Sequence, residues 1–129
     1  MGLNLSILEN YLLVEFNNGI NYWEIVEAIG KLGFIEEYCD KNDIWIFKDG
    51  PLNIMIEDFP KLEEIIGSKY PKDAKRTKTA IVVETGMQSG LVEYFINLCP
   101  SLPLRIKVFN DFKSAEKWVM GEFKMSQMQ

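Results

Sequence analysis

Two short runs constrain this chain more than anything else in it. Ile44-Trp45-Ile46-Phe47 and Ala80-Ile81-Val82-Val83 are continuous apolar segments rich in β-forming residues, with no polar face. A strand of that kind has to be covered on both sides, so the rest of the chain has to supply two layers around a sheet. Around these runs the apolar spacing becomes helical. Asn21-Tyr22-Trp23-Glu24 offers a cap-type Asn with a Glu three positions on, and Ile25, Ile29 and Leu32 then share one face. That helix is expected over about 22–32, ending at Gly33. Asp58 is expected to cap a second helix from Phe59 to Ser68, with Pro60 in its first turn and Leu62, Ile65 and Ile66 inward. Gly86 and Ser89-Gly90 open a third, with Ser89 as its cap, closed by Pro100 and Pro103. Asp111 caps a fourth, with Phe112, Ala115, Trp118 and Val119 inward.

The remaining strands complete the pattern. Leu3–Ile7 and Tyr11–Phe16 read as a hairpin turned at Glu9-Asn10. The interior runs extend to Asp43–Phe47 and Thr79–Glu84. Leu104–Phe109 alternates apolar residues with Arg105 and Lys107, the mark of a strand with one wet face, suited to a sheet edge. The expected order is β-β-α-β-α-β-α-β-α, an α/β class with an open, mixed, largely parallel sheet. The 129 residues supply one domain over 1–120, and 121–129 form a tail expected to fray.

Composition excludes several kinds of chemistry. The chain has no histidine, which removes imidazole bases, Ser-His-Asp or Cys-His nucleophiles and imidazole zinc sites. Nineteen acidic residues against 14 basic ones give a net charge of -5, which opposes binding to a nucleic-acid backbone. Cys39 and Cys99 form no CxxC motif and are expected to be reduced thiols of a cytoplasmic protein. No run approaches the roughly 18 apolar residues of a membrane span, and no secretory signal pattern is visible. No catalytic set, metal site or cofactor motif is expected.

Four features remain as candidates. The loop Thr85–Gly90 joins an interior strand to a helix, where free N–H groups favour an anion, yet it matches no phosphate-loop fingerprint. Lys69, Lys72, Lys75, Arg76 and Lys78 form a local basic patch suited to an acidic partner, a lipid headgroup or plain solvation. The carboxylates Glu36, Glu37, Asp40, Asp43, Glu57, Asp58, Glu63 and Glu64 have no calcium-loop spacing and read as caps and solvated faces. Trp23, Trp45 and Trp118, with Phe47, Phe95 and Phe109, offer either core or an apolar pocket. Trp23, in the first turn of its helix, is the one the core explains least.

Several segments together resemble the SpoIIAA-like (STAS-like) family. They are Lys78-Thr79-Ala80-Ile81-Val82-Val83-Glu84, the Gly90-Leu91 helix start, and Ile106-Lys107-Val108-Phe109-Asn110-Asp111 leading into Ala115 and Trp118. Asn18-Gly19-Ile20-Asn21 and Ile44–Asp49 look like that family's first half. The resemblance implies a small open-sheet α/β domain over about residues 3–120. In the anti-sigma-factor antagonists of the group, a serine at a helix start is phosphorylated by a partner kinase. The matching stretch here, Asp49–Ile56, has neither Ser nor Thr, so that switch has no acceptor.

The leading expectation is a non-enzymatic cytoplasmic module that binds a protein partner or forms a homodimer. Its candidate surfaces are the Asp49–Asn53 loop (Asp49, Gly50, Asn53) and the Gly86–Gly90 helix start (Gly86, Ser89, Gly90). The alternative is a carrier of a lipid or other apolar small molecule, with Trp23, Trp45 and Trp118 marking the pocket. An enzyme using carboxylates or Cys99 ranks third.

Overall fold

The computed structural model describes residues 3–17, 19–33, 35, 41–48, 52–69, 77–99, 102 and 104–121. Glu9 and Asn10 turn the chain back, and β1 (Leu3–Ile7) pairs antiparallel with β2 (Leu12–Phe16), Leu3 opposite Phe16. The Leu8 N–H donates to the Tyr11 carbonyl at 3.0 Å and closes that turn. After the short β3 (Ile20–Asn21) comes α1 (Tyr22–Leu32), started by the expected reciprocal cap: the Asn21 side chain accepts from the Glu24 N–H, and the Glu24 carboxylate accepts from the Asn21 N–H. Gly33 follows the helix in right-handed conformation, φ -62°, so its stop does not use the left-handed freedom of glycine.

β4 (Asp43–Phe47), β6 (Lys78–Val82) and β7 (Arg105–Phe109) run parallel to β2, giving the order β1-β2-β4-β6-β7. The two wholly apolar runs therefore lie inside the sheet, and the strand with the wet face lies at an edge, as expected. The expected strand Thr79–Glu84 starts one residue earlier and ends two residues sooner. Sequence periodicity did not reveal β3 and β5 (Leu52–Asn53), which pair in parallel over two residues, Ile20 with Leu52 and Asn21 with Asn53.

Two helix starts differ from expectation. α2 spans Phe59–Ser68, but Asp58 has helical backbone and makes no side-chain cap. A 3-10 turn, Ile56–Asp58, precedes the helix, and the Asp58 carboxylate accepts from the Met55 N–H at 3.1 Å. The acid thus serves the turn, one step upstream. α3 (Gly86–Leu98) is capped by Thr85, not Ser89: Thr85 Oγ1 accepts from the Gln88 N–H at 3.1 Å, and Gln88 Oε1 accepts from the Glu84 and Thr85 N–H groups. Ser89 already lies inside the first turn. α4 (Phe112–Met120) starts on Asp111, whose carboxylate accepts from the Ser114 N–H, and ends at Gly121 with φ 78°, a left-handed cap that glycine adopts without strain.

The period of two along each strand divides the core. Leu12, Val14 and Phe16 of β2 and Trp45 and Phe47 of β4 face α1, α2 and α3, meeting Ile25, Ala28, Ile29, Leu32, Leu62 and Val92. Ile44, Ile46, Ala80 and Val82 face the other way, onto Ala115 and Val119 of α4. Tyr11 ties this second layer down by donating its hydroxyl to Glu116 Oε2 at 2.8 Å. Among the described residues no helix is long and apolar enough to cross a membrane.

Candidate functional site

The helix layer over the first face is incomplete. Ile81 is in the middle of the interior strand β6, yet it is only half-buried, as is Ile106 beside it on β7. Both face a partly open cavity of about 100 Å³ lined by β4, β6 and β7 on one side and by α1, α2 and α3 on the other. Ile25 and Ile29 of α1, Phe59, Leu62 and Ile66 of α2, and Leu91, Val92 and Phe95 of α3 form its roof. Leu52 and Ile54 line it at the carboxyl end of the strands. Asp43, Thr79 and Leu104 line it at the amino end. The span from Asp43 to Phe47 along β4 is about 13 Å at strand rise.

The polar content of this cavity is concentrated at Asp43. Its position at the head of β4 puts its side chain on the same face as Trp45 and Phe47. It is only 2% exposed. Asp43 Oδ1 accepts from the Thr79 hydroxyl, its partner across the β4–β6 ladder, and Oδ2 accepts from the Trp45 indole N–H at 3.0 Å. Burial pushes the Asp43 carboxyl up from 3.8 to about 6, against the pull of the Thr79, Trp45 and backbone hydrogen bonds. Neither of the described ion pairs, Lys31–Glu27 and Lys48–Glu15, involves it. Thr77, just before β6, has a buried hydroxyl oxygen with no hydrogen-bond partner.

The sequence pointed to a different set. Asp49 and Gly50 lie outside the described residues, as do Cys39 and most of the basic patch. Asn53 is exposed on β5, next to the cap of α1. Gly86, Ser89 and Gly90 form the start of α3 but do not line the cavity; their neighbour Leu91 does. Trp23 is 73% exposed and packs edge-on against Tyr22, centroids 5.0 Å apart, so it marks no pocket. Trp118 packs on Phe109 at the opposite face of the sheet. Of the three tryptophans expected to share a pocket, Trp45 alone lines it. Lys78 is turned to that opposite face as well, donating to the Trp118 carbonyl at 2.8 Å with its ammonium 5.4 Å from the Trp118 ring.

Asp43 and Thr79 were missed because the carboxylates were read as solvated. The signal was available: an acid opening an otherwise apolar interior strand inherits that strand's burial. Cys99 is buried too, and burial followed by the Glu63 carboxylate pushes its thiol up, away from the thiolate a nucleophile needs. Among the described residues there is no cluster of three metal-ligating side chains.

These features define a small α/β domain whose helix layer leaves an apolar cavity, with one buried acid, against a mostly parallel sheet. Its fold is SpoIIAA-like. A scan of protein-family models finds no match, and no curated protein matches. Among solved structures, the chain is similar to the crystal structure of an uncharacterised protein from the DUF3478 family with a SpoIIAA-like fold, from Shewanella loihica. The two share 15% identity over 91% of each chain, with a TM-score of 0.54.

Proposed function

We propose that the protein binds a small, mainly apolar molecule in the cavity between the parallel strands and helices α1, α2 and α3, acting as a carrier or sensor without catalysis. One observation carries this reading: Ile81, on an interior strand, is left half-buried against open space when α2 and α3 had every hydrophobic incentive to close over it. Concave, mainly apolar lining with one convergent polar group is the usual make-up of a small-molecule site. The absence of histidine from the chain supports a binder over an enzyme. Isoleucine methyl labelling tests it. n-Butanol should shift the methyls of Ile29, Ile81 and Ile106 and leave those of Ile44 and Ile46, on the α4 face, in place. No saturable shift at the cavity methyls would remove the reading.

A second reading, a regulatory module for a protein partner or a second copy of the chain, is favoured by exposed Trp23, Met55, Ile56 and Met87. These residues lie at or just before the starts of α1, α2 and α3, the end of the sheet where α/β domains commonly place their sites. Sedimentation equilibrium on the wild type and on Trp23→Ala/Met87→Ala tests the self-association. Dimer in the first and monomer in the second supports it, and monomer in both removes the homodimer.

A further inference from the structure

We propose that the occupant of the cavity is an organic ammonium ion with a short alkyl body, its nitrogen held by Asp43. This rests on reading the cavity as a ligand site and adds the chemical class of the ligand. Asp43 is among the residues that line the cavity, is nearly inaccessible to solvent, and has no cation set against it among the described residues. A buried carboxylate is unfavourable unless it is paired. The Thr79 hydroxyl occupies one oxygen and the Trp45 indole the other. A backbone N–H donates to the carboxylate as well, and its two oxygens accept in about four directions together, so one direction stays free.

An ammonium group fits that direction in charge and as a donor. It has N–H donors and no acceptor, and one of its N–H groups takes the remaining direction on Asp43. The Trp45 ring, which also lines the cavity, attracts a cation through its π face. An alcohol of the same shape brings one donor and no charge. A carboxylate brings a like charge to Asp43 and is repelled. The rest of the lining, from Ile81 to Leu52 and Ile54, is suited to a hydrocarbon body. An apolar cavity of about 150 Å³ takes benzene, so a cavity of about 100 Å³ takes four or five heavy atoms before a wall moves.

The full chain carrying Trp23→Phe and Trp118→Phe keeps Trp45 as its one indole and reports on the cavity by fluorescence. It would be titrated at pH 7.5 and fixed ionic strength with n-butylammonium, n-butanol and butyrate. Butylammonium is expected to bind at least about tenfold more tightly than butanol, as a charge-assisted contact supplies, and butyrate is expected to give no saturable response. Asp43→Asn should bring the ammonium-to-alcohol preference close to one. If the ammonium binds no better than the alcohol, or butyrate binds best, the ammonium assignment is overturned while the apolar site stands. If none of the three gives a saturable response, both are overturned. The comparison of probes needs no change at Asp43, so it decides the question even where Asp43→Asn does not fold.

Discussion

Asp43→Asn should abolish a pH dependence of stability that the wild-type chain carries between about pH 4 and pH 6. In the native state burial raises the Asp43 carboxyl from 3.8 to about 6, whereas the unfolded chain leaves it near its ordinary value. Between those two values the folded protein holds a proton that the unfolded chain has released. Linkage then fixes the sign: the contribution of this group is most favourable below the unfolded value, declines as pH rises through the window, and is lost above the folded value. A separation of about two pH units, at about 1.4 kcal/mol each, makes the total about 3 kcal/mol. The asparagine keeps the shape: its Oδ1 can accept from the Trp45 indole while its amide N–H donates to the Thr79 hydroxyl oxygen, so the exchange of contacts carries a cost that does not vary with pH. The stability of the variant minus that of the wild type should therefore climb by about 3 kcal/mol between pH 4 and pH 7, on top of a constant offset. Urea unfolding of both chains in small pH steps, with unchanged m-values, measures it, and the other carboxylates cancel in the difference. A flat difference curve would refute the reasoning, and a curve falling with pH would mean that a cation holds Asp43 ionised.

Three further outcomes follow from the packing and the caps. Leu32→Ala, in the closed part of the core, should cost about 2–5 kcal/mol in urea unfolding, while Ile81→Ala, facing the cavity, should cost clearly less because that side chain is already half-exposed. Thr85→Ala should lower stability by about 1 kcal/mol through loss of the α3 cap, and Ser89→Ala should stay within about 0.5 kcal/mol, an order that would reverse if Ser89 were the cap. Trp23→Ala should leave n-butanol shifts at Ile81 and Ile106 unaltered, since Trp23 does not line the cavity; altered shifts would place it in the site.

Much of the fold was legible because it rests on local rules. An apolar run with no wet face can only be an interior strand, and Asp43–Phe47 is one along its whole length. The alternation in Leu104–Phe109 announced an edge, and Asn21 with Glu24 announced a helix start. The errors fell where two local signals compete. Asp58 and Ser89 are both good caps by residue type, but Asp58 bonds into the preceding turn, and Thr85 reaches the first free N–H groups before Ser89 does. The site was far less legible. Trp23 and Trp118 looked equivalent to Trp45, but their rings end up in solvent and on the opposite face of the sheet.

By itself, then, the sequence determined the class: periodicity places the longer strands and the four helices and shows which of their faces are apolar, because these depend on neighbours within a few residues. It also determined that none of these 129 residues supplies an imidazole. Only the tertiary structure decided that Asp43 and Thr79, 36 positions apart, meet across a strand pair inside an apolar space. The physical reason is that burial is a property of the assembled layers. An acid is solvated or desolvated, and an isoleucine covered or left facing a cavity, according to how helices from distant parts of the chain meet the sheet, and no local pattern records where they leave a gap.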